Sequence, residues 1–501
     1  MLMATTGTAE ATSGWLTALT RWVDVVDGYV WGLPLILTVL ATGVLLTCVI
    51  RFTHIVHLGR AFRYMLAAEE DGKGEVSAFG ALCTALAATI GIGNIVGVAT
   101  AVGTGGPGAL FWMVVAAFFG MGTKYAEGLL AVKYREVASD GRVLGGPFYY
   151  IEKGLGRKWK ALAVAFALFG ALAAIMGTGT LAQIHGITSA VQHFFDPHFD
   201  PKDLATGVRL FGATYSVSVV VAGALVTTAV ALVLIGGLKR IAAVSTFVVP
   251  FMAVVYVVIC LLVILGNLGR FLPAVTLIVR SAFDPAAMTG GAVGTVFVAM
   301  QKGISRGIFS NEAGLGSAPI AAAAAKTNEP ARQGLVCMMG TFVTLVICVM
   351  TGLAIVITGA WEPSLGLKGV DITIEAFDRG LSFLPSSRAI SSLFLMVSLV
   401  FFAFTTILGW NYYAERCLEY VVGAKRQGII RVYRFLYILV VFVGPYFTVS
   451  VVWGVADIFN GLMAFPNLIA LVLLSPVVWR VTKDFFARHP RAAREAPPTV
   501  P

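Results

Sequence analysis

Charged residues are scarce in this sequence. Asp, Glu, Lys and Arg make up 12% of the 501 residues, about half of the share that is typical of soluble globular domains. The hydrophobic class accounts for 58% of the residues, and the mean hydropathy is +0.86. A water-soluble globule is excluded, because its surface could not be covered with so few charged side chains.

The chain also lacks the features of several other protein classes. The first 28 residues contain no basic n-region, and the apolar run that follows them is too long for a cleaved signal peptide. The net charge of +10 forms no basic stripe with interleaved aromatic residues, so nucleic acid is not a predicted partner. No obligatory protein partner is predicted either. The six cysteines show neither metal-ligand spacing nor a disulfide framework, and they lie in or beside apolar segments: Cys48, Cys83, Cys260, Cys337, Cys348 and Cys417.

Apolar runs of membrane-spanning length are abundant instead. About 20 residues are needed to cross the hydrocarbon core as a helix, and runs of this length recur along nearly the whole chain. We therefore predict an all-α polytopic membrane protein with eleven transmembrane helices. The predicted spans are 29–50, 78–103, 108–130, 161–190, 213–236, 241–265, 290–311, 333–358, 389–414, 430–450 and 455–479.

Lys and Arg residues are concentrated in alternate loops between these spans. When the N-terminus is placed outside, the loops that hold most of the 36 Lys and Arg residues lie in the cytoplasm, as the positive-inside rule requires. The odd number of spans then leaves the C-terminus in the cytoplasm. We predict a periplasmic surface segment at 1–28, an extra transmembrane helix at 29–50 and a cytoplasmic tail at 481–501.

Glycine and polar residues interrupt the apolar run at 85–108. The stretch reads ALAATIGIGNIVGVATAVGTGGPG, with Thr89, Gly91, Gly93 and Asn94 in its middle. Each glycine disfavours helix by about 1 kcal/mol relative to alanine, so we predict a break. The carbonyl groups at such a break suit a hard cation, and its N–H groups suit a carboxylate. Close helix packing is the competing explanation for the glycines, but it does not account for an amide at membrane depth.

A second interrupted helix follows at 297–319, which reads FVAMQKGISRGIFSNEAGLGSAP. Without the first span, the ten remaining helices divide into two sets of five, at 78–265 and 290–480. An interruption falls in the first helix of each set, and such matched breaks are typical of transporter sites. Because five is odd, the second set begins from the opposite side of the membrane. The predicted fold is therefore one N-terminal helix plus a 5+5 inverted-repeat core with two discontinuous helices.

Three stretches resemble signatures of the bacterial alanine or glycine:cation symporter family: GIGNIVGVATAVGTGGPGALFW, SRGIFSNEAGLGSAPIAAAAAKTNEPARQG and WGVADIFNGLMAFPNLIAL. The resemblance spans essentially the whole chain. It implies the bacterial leucine-transporter fold with one added N-terminal helix, in the bacterial inner membrane. It also implies uptake of a small neutral amino acid, such as alanine, glycine or D-alanine, by alternating access with Na⁺ as coupling ion and no other cofactor. Proton-coupled symport or exchange is the alternative.

The same resemblance assigns residues to the substrate. It implies that the backbone of the GIGN motif binds the substrate carboxylate and that the amide oxygen of Asn94 faces the cation or the substrate. A polar contact in the third core helix and three bulky walls complete the predicted pocket, although simple packing is the competing explanation for two of the walls, Phe297 and Met300. The predicted substrate-binding residues are Thr89, Gly91, Ile92, Gly93, Asn94, Gln183, Phe297, Met300 and Trp410.

Sodium ligands and gates are predicted in the same way. Sodium prefers oxygen ligands, and the resemblance places them at Ala87, Ile90, Thr405 and Thr406. For the two threonines, hydrogen bonds to their own helical turn are the alternative. Four charged residues are gating candidates: Glu127, Arg306, Glu312 and Asp457.

Each gating candidate has a predicted role. Glu127 bonds the unwound backbone of the second break or pairs with Lys124. Asp457 belongs to an outer gate whose arginine partner is missing from the first broken helix, where Gly97 stands. Arg306 and Glu312 latch an inner gate or form an ordinary interfacial ion pair.

A membrane-embedded enzyme is the alternative from a different class. It would need a buried nucleophile or a cluster of metal-binding His and carboxylate residues, and the sequence contains neither. The fifth core helix, at 241–265, has no lysine that could replace a coupling ion, which favours sodium over a proton. We therefore expect a transporter and not an enzyme.

Overall fold

The structure is a computed structural model that describes residues 14–67, 72–138, 141–200, 207–210, 213–283, 296–423, 425–447 and 449–490. Helices dominate it. In the first half of the chain they are α1 (Gly14–Val30), α2 (Leu33–Val49), α3 (Thr53–Val56), α4 (Leu58–Leu66), α5 (Ala78–Thr89), α6 (Val96–Gly105), α7 (Gly108–Tyr134), α8 (Pro147–Gly154), α9 (Lys160–Met176), α10 (Leu181–Phe195), α11 (Val217–Leu234) and α12 (Gly237–Gly266).

The second half is helical as well. Its helices are α13 (Phe271–Phe283), α14 (Val296–Asn311), α15 (Ala318–Ala322), α16 (Pro330–Thr358), α17 (Val370–Gly380), α18 (Ser387–Val422), α19 (Gln427–Val443), α20 (Val449–Leu473) and α21 (Ser475–Arg488). Two short antiparallel hairpins lie in loops of the first half: β1 (Glu136–Val137) with β2 (Val143–Leu144), and β3 (Gly207–Leu210) with β4 (Ala213–Ser216).

The predicted all-α membrane architecture is confirmed. By length and composition, nine helices in the part of the chain that the structure describes can cross a membrane, and the bent pair α5 and α6 raises the number to ten. The predicted number of eleven is not confirmed. The remaining predicted span contains α14, whose 16 residues fall short of the roughly 20 that a continuous span requires.

Some predicted boundaries differ from those in the structure. The predicted span 161–190 is two helices, α9 and α10, with a break at 177–180. The predicted last span, 455–479, ends at Leu473, and Pro476 lies in the first turn of a separate helix, α21. Proline lacks an N–H, so a helix accepts it more readily in its first turn than in its interior.

The predicted terminal segments are only partly described. Residues 1–13 of the surface segment and 491–501 of the tail lie outside the described residues. The remainder of the surface segment is helical and belongs to α1, which packs along α20.

Close helix contacts hold the centre of the bundle together. Helix α7 packs along α14 and α16. A Cβ atom on Gly303 of α14 would lie 2.2 Å from the carbonyl oxygen of Ala109, which means that only glycine permits this approach. On the other side of α7, a Cβ atom on Gly128 would lie 2.5 Å from the Cβ atom of Cys337. Small residues at such contacts let membrane helices approach closely.

The ends of the two broken helices are joined on one side of the membrane. Val76, just before α5, forms a parallel β-bridge with Ala325, just after α15. Arg135, at the end of α7, donates hydrogen bonds of 2.7 Å to the carbonyl oxygens of Ala323 and Ala325 and a further one to that of Lys73. We call this arrangement of residues 72–76, residues 323–327 and Arg135 the Arg135 clamp.

We expect Arg135→Gln to lower the free energy of unfolding by about 3 kcal/mol, because hydrogen bonds from a charged donor contribute roughly 1.5–3 kcal/mol each and glutamine cannot replace the guanidinium. Thermal unfolding in detergent measures the effect. Lys133→Gln is the matched control, since Lys133 ends the same helix but its side chain is exposed. Equal midpoints for the two variants would show that the clamp does not stabilise the fold.

Candidate substrate and ion site

The first predicted break is present. Helix α5 ends at Thr89, a single 3₁₀ turn covers Ile92–Asn94, and α6 begins at Val96. The two halves meet at an angle of 67°. The prediction from the glycine and polar residues of this stretch is therefore confirmed.

Two side-chain amides bond to the backbone at this break. The N–H of Gly91 donates to Oδ1 of Asn94 at 3.1 Å, and the N–H of Ile92 donates to Oε1 of Gln183 at 3.4 Å. Both amide side chains are buried. Neutral amide oxygens thus lie where the oxygens of a carboxylate could accept the same hydrogen bonds.

The second break lies between α14 and α15. Backbone φ is positive at Glu312 (53°), Gly314 (87°) and Gly316 (80°), which ends the helix after Asn311. A side chain from another helix bonds to this unwound backbone: Oε1 of Glu127 accepts from the N–H of Gly316 at 3.2 Å.

Glu127 therefore contacts the second break, which is one of its two predicted interactions. The same oxygen accepts from Nδ2 of Asn467 at 2.7 Å. The alternative, an ion pair with Lys124, is not formed: the Lys124 ammonium group is buried and makes no hydrogen bond to a described residue.

Hydrogen bonds join the two breaks to each other. The hydroxyl of Ser310 donates to the carbonyl oxygen of Gly93 at 3.0 Å, and Nδ2 of Asn94 donates to the carbonyl oxygen of Ser310 at 3.4 Å. A Cβ atom on Gly93 would lie 2.8 Å from the ring of Phe309. The sequence analysis did not select Ser310 and Phe309, although both lie within the predicted interrupted helix at 297–319.

Three of the four predicted sodium ligands lie together. The hydroxyl of Thr406 is 3.0 Å from the carbonyl oxygen of Ala87 and 3.2 Å from that of Ile90. We call these three oxygens the Thr406 oxygen cluster. Helix α18 reaches α5 here because Gly409 has no side chain: a Cβ atom would lie 2.7 Å from the backbone nitrogen of Ala88.

Thr405, the fourth predicted ligand, points elsewhere. Its hydroxyl donates to the carbonyl oxygens of Phe401 and Phe402 at 3.1 Å and 3.0 Å. These contacts are the bonds to its own helical turn that were the alternative for the threonine pair. The hydroxyl of Thr406 makes such a contact as well, at 2.9 Å from the carbonyl oxygen of Phe402, in addition to its contacts with α5.

The third interruption, at 177–180, was not predicted. Its backbone and side chains have partners on other helices: Nδ2 of Asn460 donates to the hydroxyl of Thr178 at 2.7 Å, and the hydroxyl of Tyr437 lies 2.8 Å from the carbonyl oxygen of Gly179. A Cβ atom on Gly179 would lie 2.7 Å from that of Trp410. The break thus sets the start of α10, which carries Gln183, and the position of Trp410. The sequence signal for it was the stretch GTGT.

Two of the predicted walls do not lie at the breaks. Phe297 is 41% exposed in the first turn of α14, and Met300 packs against the main hydrophobic core. Met300 precedes Glu312 by twelve residues, about 18 Å along a helix. Assigning these two residues to a closed pocket was therefore wrong, because the sequence does not show how far along α14 the break lies. Trp410 is fully buried, and the aromatic ring that lies beside the first break is that of Phe309, next to Gly93.

The predicted pairing of Arg306 with Glu312 is also wrong. Nη2 of Arg306 lies 3.0 Å from Oδ2 of Asp457 in α20. Glu312 instead accepts hydrogen bonds from the hydroxyls of Ser317 and, at 3.5 Å, Thr89. Its position after the left-handed turn directs it into the region between the breaks. Asp457 thus has an arginine partner, but from α14 and not from the first broken helix.

The chain resembles known transporters along almost its whole length. A family model described as the sodium:alanine symporter family matches residues 16–498. An uncharacterized transporter of Haemophilus influenzae is 50% identical over 93% of this chain and 96% of its own length. The sodium/alanine symporter AgcS of Methanococcus maripaludis is 45% identical over 95% of this chain and 99% of its own length. The probable sodium/glutamine symporter GlnT of Bacillus subtilis is 33% identical over 94% of this chain and 92% of its own length.

A solved structure shows the same fold. The crystal structure of MhsT in complex with L-phenylalanine matches with a TM-score of 0.54 at 12% identity, and the match covers 82% of this chain and 99% of that one. At this identity the likeness concerns the fold alone. It confirms the leucine-transporter fold that the sequence resemblance implied.

We expect Gly91→Ala to abolish substrate uptake in proteoliposomes, because the added methyl group would lie 2.8 Å from the hydroxyl oxygen of Thr406 and 3.0 Å from Oε1 of Gln183. Gly97→Ala is the matched control. There the nearest atom, Oγ of Ser310, is 3.9 Å away, so uptake should stay within about twofold of the unmodified protein, as expected for a methyl group in ordinary contact. Equal effects of the two substitutions would show that the space around Gly91 is not part of the site.

Proposed function

The chain belongs to the sodium:alanine symporter family, and from this premise we propose that it carries alanine or glycine into the cell by alternating access. Members of the family are sodium-coupled amino-acid symporters, multi-pass membrane proteins and not enzymes. The single observation that supports the finer proposal most strongly is the meeting of the Thr406 oxygen cluster and the buried amides at one residue, Gly91.

Gly91 lies between the candidate ion ligands and the candidate substrate contacts. The position of its absent Cβ is 2.8 Å from Oγ1 of Thr406 and 3.0 Å from Oε1 of Gln183. A sodium ion held by Thr406 and the carbonyl groups of Ala87 and Ile90 would fix the end of α5 against α18. The same end presents the N–H groups that would receive the substrate. Ion binding and substrate binding thus share one piece of backbone, which is what symport requires.

The substrate carboxylate would replace the amide oxygens that now accept from Gly91 and Ile92. A charged acceptor makes the stronger hydrogen bond, so the exchange favours binding. Gln183, released from Ile92, would then bond the substrate. The bulky side chains of Phe309 and Trp410 near the breaks support a substrate with a small side chain. Glutamine is the second candidate, because one relative is named for it.

The chemistry of the Thr406 oxygen cluster supports sodium as the ion that drives transport. Its members are one hydroxyl and two carbonyl oxygens, which are neutral and do not take up a proton near pH 7. Such oxygens are suitable ligands for a hard metal cation. We keep Thr405 as a candidate ligand only if its hydroxyl turns away from its own helix.

The charged contacts support a gate on the outer side of the breaks. We assign the outer gate to Arg306 and Asp457. In the predicted topology α14 and α20 both run from the outer to the inner side of the membrane, and Arg306 and Asp457 lie on the outer side of the breaks. Glu127 would hold the unwound backbone of the second break in place. The proposed location is the bacterial inner membrane, with the N-terminus outside and the C-terminus in the cytoplasm.

Proteoliposomes loaded with potassium buffer provide the direct test of the proposed function. We expect alanine and glycine uptake to require external Na⁺ at fixed pH, and glutamine uptake to be much slower, because the space at the breaks is small. Replacement of sodium by choline is the control. Equal uptake in the two buffers would exclude sodium coupling, and faster glutamine uptake would exclude the assignment of a small substrate.

We expect Thr406→Val to raise the Na⁺ concentration for half-maximal uptake by about tenfold or more, since the loss of one oxygen ligand weakens binding by at least roughly 1.4 kcal/mol. Uptake at saturating Na⁺ should change less. Thr344→Val is the matched control, because Thr344 is buried and bonds only within its own helix. An unchanged sodium curve for Thr406→Val would remove Thr406 from the ion site.

A further inference from the structure

We propose that Glu312 is the counter-ion of the substrate's α-ammonium group and that it makes the site specific for α-amino acids. This inference rests on the proposed function, and it names the residue that recognises the second charged end of the same substrate. The predicted role of Glu312 as half of an inner latch is replaced by this one, because its carboxylate lies between the two breaks and not beside Arg306.

The position of Glu312 is costly for any residue with a side chain. Its φ is 53°, in the left-handed region where glycine is favoured. Its side chain is 2% exposed, and an ionised carboxylate at such a depth requires partners. A glycine would satisfy the backbone at this turn without either cost. The carboxylate is therefore explained by what it binds and not by the turn.

The hydrogen bonds of Glu312 leave one oxygen available. Oε2 accepts from the hydroxyl of Ser317 and lies 3.5 Å from that of Thr89, whose shorter hydrogen bond, of 2.7 Å, is to the carbonyl oxygen of Ala85. Oε1 accepts no hydrogen bond from any residue in the part of the chain that the structure describes. The indole of Trp410 also interacts with this carboxylate, yet its fully buried N–H completes no hydrogen bond among the described residues. The site therefore retains polar groups that a ligand could satisfy.

Buried acidic groups outnumber buried basic groups around Glu312. Two buried carboxylates, Glu127 and Glu312, face one buried ammonium group, that of Lys124. If both carboxyl groups are ionised when substrate binds, its ammonium group would neutralise the negative charge that Lys124 leaves over. The carbonyl ends of α5 and α14 point to the same region, and the negative ends of their helix dipoles add to the attraction for a positive group.

An α-amino acid can bind the N–H groups of the first break and the carboxylate of Glu312 at the same time. Its carboxylate would bond the N–H groups of Gly91 and Ile92, and its ammonium group, attached to the same carbon atom, would lie on the side of Thr89. The hydroxyl of Thr89 is 3.5 Å from the Glu312 carboxylate. An ammonium group needs three acceptors, which Glu312 and the helix-end carbonyls supply, whereas a metal ion would need more oxygen ligands around Glu312.

The test compares two ligands that differ only at the group in question. Alanine and (S)-lactate share the carboxylate and the methyl group, but one carries an ammonium and the other a hydroxyl group. Calorimetry in saturating Na⁺ should show that the unmodified protein binds alanine at least about 100-fold more tightly than lactate, because a site built around a charged partner rejects the analogue that lacks it. In Glu312→Gln this ratio should fall below about tenfold.

Sodium binding separates this role from that of an ion ligand. In the absence of substrate, binding of radioactive Na⁺ to Glu312→Gln should match that of the unmodified protein. An unchanged alanine-to-lactate ratio would overturn the proposal, and so would loss of Na⁺ binding in Glu312→Gln, because Glu312 would then be an ion ligand. Glu419→Gln is the matched control, since Glu419 is a buried carboxylate that pairs with Arg142 and Arg416 instead.

Two further outcomes are informative. If Glu312→Gln does not fold, Glu312→Asp keeps the charge on a shorter side chain, and we expect weaker alanine binding with a preference over lactate that remains above tenfold. An aspartate variant with no such preference would contradict the proposal. If the unmodified protein binds none of alanine, glycine and serine in Na⁺, the proposed function fails as well; if it binds them and only the variant result disagrees, the role of Glu312 alone is wrong.

Discussion

A peptide group inside a membrane must find a hydrogen-bond partner within the protein, because lipid offers none. At the three described interruptions, the structure meets this requirement with polar side chains, most of them from other helices. Asn94 and Gln183 bond the first break, Glu127 bonds the second, and Tyr437 bonds the third. These partners satisfy the backbone at the interruptions, which is where the proposed ion and substrate ligands lie together.

The three interruptions also depend on one another. The first and second are joined through Ser310 and Asn94. The third places Gln183 so that it bonds the first, and it packs against Trp410, which interacts with Glu312 in the second. A change at any one break therefore alters the geometry of the others. This mutual dependence is a physical basis for coupling between the ion and its cargo.

The parts of the site that the sequence predicted correctly are those with a local cause. Glycine and an amide in an apolar run disfavour helix wherever the run lies in the fold, so the break at Gly91 was predictable. The resemblance to a known family brought Thr406 together with Ala87 and Ile90, which composition alone could not do. Predictions that depend on how far a residue lies along a helix were less accurate. Phe297 and Met300 were misplaced because the sequence gives no position for the end of α14.

Other features depend on contacts between distant segments. The partner of Asp457 comes from α14, since Arg306 reaches it across the bundle, and no local pattern indicates that approach. The interruption at 177–180 contains only two glycines and two threonines, which many continuous membrane helices also contain. It is stabilised by Asn460 and Tyr437, more than 250 residues away in the sequence. Such breaks become visible only when the whole bundle is assembled.

The Arg135 clamp has a consequence for how the protein can move. Since Val76 and Ala325 share a β-bridge and Arg135 bonds the carbonyl groups on both sides, α5 and α15 form two legs whose adjoining ends are held together by hydrogen bonds. Neither leg can swing outward alone without breaking several hydrogen bonds. If the proposed transport cycle opens this side of the protein, both legs would have to tilt together, with the glycine turns at the two breaks as the joints.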